Sequence, residues 1–217
     1  EAIPCYENAL HLNSNFFEAY YNLGIVLKNN SKLKDAEKCY KQTIRLKPDF
    51  AEAYNNLGTV LENLGKLNES EINYGKALAL KPNFAEAHNN LGNAFAEQAQ
   101  LDDAVKSYQK AIELNPNYSE AYNSLGNVFI EQGQFNDAIV SYQKALEINP
   151  NYPALHNNLG NAFKELGQLE DALKSYSKGL TYNPDYIDLL NNLGVVLNDL
   201  GQLDKAVQSY ERAIGIK

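Results

Sequence analysis

The chain contains no methionine and no tryptophan, and its 217 residues include only two cysteines and three histidines. Cys5 and Cys39 lie 34 residues apart. This separation equals the 34-residue period described below, so the two cysteines occupy equivalent positions in successive repeats. Such positions on neighbouring helices are too far apart for a disulfide, and both cysteines are therefore predicted to be packed thiols. The histidines, His11, His88 and His156, form no metal-ligand cluster with the cysteines. The last two are predicted to be packing residues, and no metal site is expected.

Motifs of catalysis are absent as well. The chain has neither a Gly-x-x-x-x-Gly-Lys-Ser/Thr phosphate loop nor a Gly-x-Ser-x-Gly nucleophile turn. Its Asp and Glu residues recur at positions predicted to be exposed, which favours solubility over acid–base chemistry. We therefore expect no cofactor and no enzymatic activity in this segment.

Long hydrophobic runs and positive charge are also missing. No run of 18 apolar residues could cross a membrane, and no apolar signal segment stands at the start. The net charge of −8 disfavours nucleic acid and anionic membranes as partners, because both attract cationic surfaces. These features favour a cytoplasmic or other intracellular location.

A glycine recurs every 34 residues, at Gly24, Gly58, Gly92, Gly126, Gly160 and Gly194. This period predicts a stacked helix–turn–helix array rather than a globule with a catalytic cleft. With each glycine at position 8, the whole of 1–217 forms a single array. Residues 1–16 are the second half of a repeat, the full repeats are 17–50, 51–84, 85–118, 119–152 and 153–186, and the slightly short last repeat is 187–217.

Each repeat is predicted to contain two helices. Helix A covers about positions 2–14, where apolar residues three and four apart, such as Tyr54, Leu57 and Leu61, mark one face. Helix B covers about positions 18–31, and in the third repeat its face is formed by Ala104, Tyr108, Ala111, Ile112 and Leu114. Gly92 is expected to pack against Ala104, since two small residues let helices approach closely.

The breaks between helices are equally regular. The glycines Gly65, Gly133, Gly167 and Gly201 follow helix A, where a C-terminal cap favours positive φ. Asp102, Asn136 and Asp204 stand near the start of helix B and are predicted to cap its free amides. The prolines that end helix B are Pro48, Pro82, Pro116, Pro150 and Pro184.

The repeated positions resemble the tetratricopeptide repeat: Leu at 7, Gly at 8, Ala at 20, an aromatic residue at 24, Ala at 27 and Pro at 32. Essentially all of the chain shares this pattern. The resemblance implies an all-α, right-handed superhelical solenoid in which helix A lines the concave face. Members of this family are usually scaffolds that bind peptides or proteins.

Asparagine is concentrated on the other face of helix A, although it is a poor helix former. Positions 6 and 9 are the candidate peptide-binding positions, and their asparagines are Asn22, Asn56, Asn90, Asn93, Asn127, Asn158, Asn161 and Asn192. A primary amide both donates and accepts hydrogen bonds, so a row of them could hold the main chain of an extended polypeptide. Alternatively, the amides bond one another and water, and position 5 bridges adjacent helices.

The Asn-Asn-Leu-Gly-Asn and Pro-Asn-Phe-Ala-Glu-Ala segments also resemble the repeats of O-linked N-acetylglucosamine transferases and similar bacterial proteins. In that group the position 6 asparagines hold substrate polypeptide, which implies the same role for Asn22, Asn56, Asn90, Asn158 and Asn192, whereas Ser124 departs from the pattern. A second interpretation is therefore the substrate-selecting array of a larger glycosyltransferase-like enzyme.

The margins of this face are acidic. Position 2 carries Glu18, Glu52, Glu86 and Glu120, and position 13 carries Glu97, Glu131, Glu165 and Asp199. The Lys and Arg residues with which some family members grip a carboxylate are absent from positions 2, 5 and 6. We expect no carboxylate clamp, and a partner with basic residues is a secondary possibility.

The ends of the sequence suggest a third interpretation. The sequence starts inside a repeat at Glu1 and stops within helix B at Lys217, without the polar terminal helix that usually closes such arrays. We expect a segment of a longer protein. Alternatively, the uncapped terminal repeats associate end to end.

Overall fold

The computed structural model describes residues 2–216, and that part of the chain contains thirteen α-helices and no β-strand. The helices are α1 (Ala2–Leu12), α2 (Phe17–Asn29), α3 (Leu33–Leu46), α4 (Ala51–Asn63), α5 (Leu67–Leu80), α6 (Ala85–Glu97), α7 (Leu101–Leu114), α8 (Ser119–Glu131), α9 (Phe135–Ile148), α10 (Pro153–Glu165), α11 (Leu169–Tyr182), α12 (Ile187–Asp199) and α13 (Leu203–Gly215). The all-helical repeat fold predicted from the sequence is confirmed.

The helices form two compact units, which are described separately. The N-terminal unit is Glu1–Leu114 and the C-terminal unit is Asn115–Lys217. In the N-terminal unit each helix from α1 to α6 packs against the next one along the chain, and the same holds from α8 to α12 in the C-terminal unit. The even-numbered helices are helix A of each repeat, and the odd-numbered ones are helix B. Observed helices begin and end one residue earlier than predicted.

Helix A ends in a tight turn of Schellman geometry. In the second repeat, the N–H of Gly65 donates to the carbonyl of Glu62 at 2.8 Å, and that of Lys66 donates to Leu61 at 2.9 Å. All four predicted turn glycines have φ between 71° and 73°, so this prediction is confirmed. Ser31 and Ala99 occupy the same position at φ 58° and 57°, a conformation that the sequence pattern did not predict for them.

The start of helix B differs from the prediction. Gln134 and Gln202 are the N-cap residues of α9 and α13, and neither helix has a side-chain cap hydrogen bond. Asp102, Asn136 and Asp204 are each the second residue of their helix, so the prediction that Asn136 and Asp204 cap α9 and α13 was wrong. A carboxylate in the first turn still favours the helix through its dipole.

Proline ends helix B as predicted. The helix stops two residues before the proline, and the intervening residue is extended, as at Lys47 with φ −136° and ψ 84°. The ring of the proline disfavours helical geometry in the residue before it, so each repeat breaks at the same place.

The core is a repeated layer of tyrosine against glycine. Five tyrosines at position 24 are 0 to 2% exposed, namely Tyr40, Tyr74, Tyr108, Tyr142 and Tyr176. A Cβ atom on Gly92 would lie 2.7 Å from Cε1 of Tyr108. The expectation that Gly92 makes room for Ala104 was therefore wrong, since the glycine makes room for the tyrosine ring. The pairs Gly24–Tyr40, Gly58–Tyr74, Gly126–Tyr142, Gly160–Tyr176 and Gly194–Tyr210 repeat this contact.

The two cysteines differ in exposure. Cys39 is buried in α3, as predicted, and burial raises the pKa of its thiol to about 11. Cys5 is exposed on α1, so the prediction that it is packed was wrong. Thiolate character controls cysteine reactivity, and the buried thiol is therefore the less reactive one.

Candidate functional site

Asparagines at positions 5, 6 and 9 of the helix A segments lie on one face of each unit, which we call the amide face. In the N-terminal unit the amide face consists of Asn22, Asn55, Asn56, Asn89, Asn90 and Asn93, and in the C-terminal unit of Asn123, Asn127, Asn157, Asn158, Asn161, Asn191 and Asn192. Asn55 is 1% exposed, whereas the predicted peptide-binding residues at positions 6 and 9 are all half-buried or exposed.

Position 6 donates to position 5 of the preceding repeat. Asn90 Nδ2 donates to Asn55 Oδ1 at 3.0 Å, and Asn55 Nδ2 donates to a carboxylate oxygen of Glu86 at 3.0 Å. Because an ionised carboxylate only accepts hydrogen bonds, Glu86 fixes the orientation of Asn55. Asn55 therefore turns its oxygen toward Asn90, whose own oxygen accepts no hydrogen bond within residues 2–216.

The same bond recurs along the chain. Asn192 Nδ2 donates to Asn157 Oδ1 at 2.8 Å, and Asn158 Nδ2 donates to Asn123 Oδ1 at 3.2 Å. In the first repeat the position 5 residue is Tyr21, whose phenol oxygen accepts from Asn56 Nδ2 at 3.0 Å. Position 5 thus bridges adjacent helices, which the sequence had left open. Each of these position 6 amides keeps its oxygen free of partners in the described part of the chain.

The asparagines at position 9 accept hydrogen bonds through their amide oxygens, whereas the bonded asparagines at position 6 donate through their N–H groups. The phenol groups of Tyr108, Tyr142 and Tyr176 donate to the amide oxygens of Asn93, Asn127 and Asn161 at 2.8, 2.8 and 2.7 Å. Asn158 Nδ2 also contacts the oxygen of Asn127, at 3.5 Å. The three position 9 amides therefore have their oxygens engaged, and their N–H groups donate to no side chain or main chain within residues 2–216.

The first two repeats lack this arrangement because position 9 is not asparagine there. The hydroxyl of Tyr74 donates to Glu62 at 2.6 Å and lies 3.3 Å from Thr59. Burial raises the pKa of the Glu62 carboxyl, an effect that nearby Glu97 reinforces and the bond from Tyr74 opposes. The hydroxyl of Tyr40 is buried and has no hydrogen-bond partner among the described residues.

A cleft of about 580 Å³ opens on the amide face of the C-terminal unit. Asn127, Asn158, Asn161 and Asn192 line it, together with aromatic and aliphatic side chains of Phe135, Tyr142 and Ile130. Lys164, Glu131 and Glu165 also line it, and the two glutamates are among the acidic residues that the sequence pattern places at the margins of this face. This cleft brings together four of the eight predicted site residues.

The remaining predicted site residues lie in the N-terminal unit. Asn56, Asn90 and Asn93 make the hydrogen bonds already given, and Asn22 makes no side-chain hydrogen bond within residues 2–216. Sequence reasoning treated position 24 as packing alone and so missed the link between its tyrosines and the amides. The signal was present, because each Asn at position 9 is followed 15 residues later by Tyr.

The histidines are structural rather than clustered. His156 is 7% exposed, its Nε2 lies 3.0 Å from the carbonyl of Pro150, and its ring stacks on Tyr182. His88 makes the equivalent contact with Pro82 at 3.0 Å. Across residues 2–216, no group of three or more His, Cys, Asp or Glu side chains could hold a metal ion. Within the same residues, every helix is too short or too polar to cross a bilayer.

Helix–turn–helix units of constant length, packed through Gly–Tyr contacts and carrying polar amides on one face, define the class of helical repeat proteins. A TPR repeat model matches residues 1–31, 63–99, 92–133, 126–167 and 160–201. Tetratricopeptide repeat models match residues 17–50, 39–72 and 187–217. The chain belongs to the tetratricopeptide repeat family, as the sequence predicted, and the matching models belong to no catalytic family.

Solved structures share this fold. MamA is 27% identical, with a TM-score of 0.69 over 78% of this chain and 92% of MamA. PilF of Pseudomonas aeruginosa is 20% identical, with a TM-score of 0.80 over 89% of this chain and 88% of PilF. YrrB, described as a TPR protein with an unusual peptide-binding site, is 24% identical, with a TM-score of 0.68 over 85% of this chain and 95% of YrrB. None of the curated proteins matches the chain.

Proposed function

We propose that the chain is a non-catalytic scaffold that holds an extended polypeptide on its amide faces. The observation that supports this function is the unused hydrogen-bonding capacity of the amides. The position 6 asparagines have free oxygens and the position 9 asparagines have free N–H groups, within the described residues. An extended main chain offers both N–H and C=O groups whatever its side chains are. An extended polypeptide therefore matches both kinds of group.

The affinity would come from several weak contacts. One hydrogen bond contributes only about 0.5–1.5 kcal/mol net, so a partner must span several amides to bind well. YrrB is described with a peptide-binding site, but at 24% identity its similarity supports the fold alone. The proposal for this chain therefore depends on its own amides and on the cleft of the C-terminal unit.

A degenerate library of unstructured peptides, displayed on beads, would test the proposal. Peptides enriched by the whole chain are measured by fluorescence anisotropy against Asn56→Ala/Asn90→Ala and against Asn158→Ala/Asn192→Ala. Each double variant removes two contacts, so we expect a loss of about 2 kcal/mol, or about thirtyfold in Kd, where the peptide contacts that unit.

Matched controls separate binding from folding. Asn73→Ala and Asn136→Ala remove asparagines that lie outside the amide faces, on α5 and α9, and should leave Kd unchanged. Thermal unfolding of every variant identifies any loss of the helix-bridging bonds. If the enriched peptides bind both double variants as tightly as the unchanged chain, the amide faces are not the binding site.

A second candidate is the substrate-selecting array of a glycosyltransferase-like enzyme. The Asn-Asn-Leu-Gly-Asn segments at 89–93 and 157–161 favour it, since they supply asparagine at both positions 6 and 9. The amide faces would then hold the substrate polypeptide of a catalytic domain elsewhere in a longer protein. The sequence of the full-length gene tests this candidate, and a gene without such a domain would exclude it.

Self-association is a third candidate. On α13, Leu203, Val207 and Ile214 are 60%, 52% and 79% exposed, so apolar side chains are available for a second copy. Light scattering over a range of concentrations tests it, because association predicts a mass that rises with concentration. A constant monomer mass would exclude it.

A further inference from the structure

Three of the buried tyrosines at position 24, Tyr108, Tyr142 and Tyr176, donate hydrogen bonds to asparagines of the amide face. In the C-terminal unit, Tyr142 is 2% exposed and Tyr176 is 0% exposed. A buried hydroxyl without an acceptor is costly, and within the described residues the amide oxygens of Asn127 and Asn161 are the acceptors that these hydroxyls reach. Burial raises the pKa of both phenols, so they stay protonated and continue to donate.

The consequence is a fixed orientation of two amides in the cleft. Because the oxygen of each amide is turned to the buried phenol, the NH₂ group has no protein partner within residues 2–216 and is available to the cleft. Asn158 and Asn192 are oriented the other way, with an N–H donated to position 5 and an oxygen that accepts nothing from the part of the chain that the structure describes. The amide face of the C-terminal unit thus has donors at position 9 and acceptors at position 6.

We propose that Tyr142 and Tyr176 are positioning residues, which hold Asn127 and Asn161 as donors for the carbonyl oxygens of a bound extended polypeptide. This inference rests on the proposed function and adds the polarity of the contacts. In an extended strand, the N–H and C=O of one residue point to the same edge. The acceptors of Asn158 and Asn192 would receive the N–H groups of that edge, and the position 9 donors would bind its carbonyls.

The N-terminal unit provides the internal comparison. Tyr40 occupies the same buried position, but its repeat has Ile25 at position 9, and its hydroxyl is unpartnered among the described residues. Tyr74 donates to Glu62 instead. The ring packs against its glycine in all of these repeats, whereas the hydroxyl orients an amide only where position 9 is asparagine. Packing and positioning can therefore be separated by removing the hydroxyl alone.

The test uses Tyr142→Phe/Tyr176→Phe, with Tyr40→Phe as the matched control. Two-dimensional NMR of the side-chain amides reports the orientation of Asn127 and Asn161 without any ligand. We expect their NH₂ signals to move in the double variant and to stay in place in Tyr40→Phe. If the signals of Asn127 and Asn161 are unchanged in the double variant, the positioning role is refuted.

The ligand half of the inference uses a defined probe, the capped peptide acetyl-Ala-Ser-Ala-Ser-Ala-amide, and its analogue with esters in place of main-chain N–H groups. In the unchanged chain, the NH₂ signals of Asn127 and Asn161 should shift with both probes, because both retain carbonyl oxygens. In the double variant, the peptide should bind roughly threefold to tenfold more weakly, while Tyr40→Phe binds as the unchanged chain does.

Two further outcomes distinguish the inference from the proposed function. If the peptide binds the double variant and the unchanged chain equally, the position 9 N–H groups do not contact the peptide. The proposed polarity of the contacts is then refuted, while the proposed peptide-binding function is not. If neither probe shifts any amide-face signal and the bead-selected peptides do not bind either, the proposed function fails, and with it the role of these donors toward a ligand.

Discussion

The two units of this molecule share one packing scheme and differ in what they expose. In both, a position 8 glycine lies against a position 24 tyrosine, as Gly58 lies against Tyr74 and Gly126 against Tyr142. The amide faces differ at position 9, where the first two repeats, both in the N-terminal unit, carry Ile25 and Thr59, the next three carry asparagine, and the last carries Val195. The Gly–Tyr contact in the core is therefore the same whether or not position 9 carries asparagine.

This difference shows that one buried ring can serve two purposes. Its hydrophobic part fills the space between helices, which a Cβ atom on the glycine would occupy. Its hydroxyl lies at the boundary of the amide face, where the identity of position 9 decides whether it orients an amide, donates to a carboxylate or remains unpaired. Variation at a single surface position thus changes the chemistry of the face without repacking the core.

The largest expected effect tests the shared packing. A Cβ atom on Gly58 or on Gly126 would lie 2.5 Å from Cε1 of the facing tyrosine. Each Gly→Ala change should therefore lower the free energy of unfolding by about 1–3 kcal/mol through overpacking, in spite of the better helix propensity of alanine. Urea-induced unfolding followed by circular dichroism measures the loss in both units.

The control for this prediction is Gly75→Ala in α5, where a Cβ atom would meet nothing within 4 Å. It should raise the free energy of unfolding by up to about 1 kcal/mol, because alanine is the better helix former. If Gly58→Ala lowers the free energy of unfolding and Gly126→Ala does not, the two units do not share one packing scheme.

Much of this packing could be predicted from the sequence. The 34-residue period, the helix bounds and the turn glycines followed from local rules that repeat six times. The partner of the position 8 glycine did not, because both Ala104 and Tyr108 face inward and only the three-dimensional packing shows which one reaches Gly92. Ser31 and Ala99 were missed for a related reason, since the turn imposes a positive φ on whatever residue stands there.

The candidate site was predicted in part. A helical period places Asn158 and Asn161 on one face, and both line the same cleft, while their role in binding stays a prediction. The direction of each hydrogen bond depends on groups from other helices, namely Asn123 for Asn158 and Tyr176 for Asn161. Such contacts between helices have no signature in a single helical segment, so the polarity of the face follows only from the three-dimensional packing.

A smaller effect is expected at the turns after helix A, where the units also differ. The C-terminal unit has glycine at all three turns, whereas the N-terminal unit has Ser31 and Ala99 in the left-handed region. Residues with a Cβ atom pay roughly 1–2 kcal/mol in that conformation. Ala99→Gly should therefore raise the free energy of unfolding by about 1 kcal/mol, and Gly133→Ala should lower it by a similar amount.

Thermal and urea unfolding of both variants measure these changes. A Cβ atom on Gly133 would meet nothing within 4 Å, so the expected loss comes from the backbone alone and not from a clash. Equal stability of Gly133→Ala and the unchanged chain would mean that the turn tolerates alanine at no cost. The difference between the turns of the two units would then have no effect on the free energy of unfolding.

The smallest expected effect depends on pH and concerns two equivalent histidines. Burial of His156 lowers the pKa of its imidazole, an effect that nearby Lys178 reinforces and the Pro150 carbonyl opposes. Below an unfolded pKa of about 6.5, the unfolded state therefore binds more protons than the folded state. The free energy of unfolding should fall as the pH decreases from neutrality, and this fall should level off below the folded pKa.

The test replaces His156 by tyrosine, which stands at the same position in the repeats of Tyr54 and Tyr122. Urea unfolding at a series of pH values should show a shallower decline for His156→Tyr than for the unchanged chain. His88→Tyr is the matched change in the N-terminal unit, where the imidazole is more exposed. An equal flattening by both variants would mean that burial of His156 is not the cause, because the two histidines share the same carbonyl contact and differ in exposure.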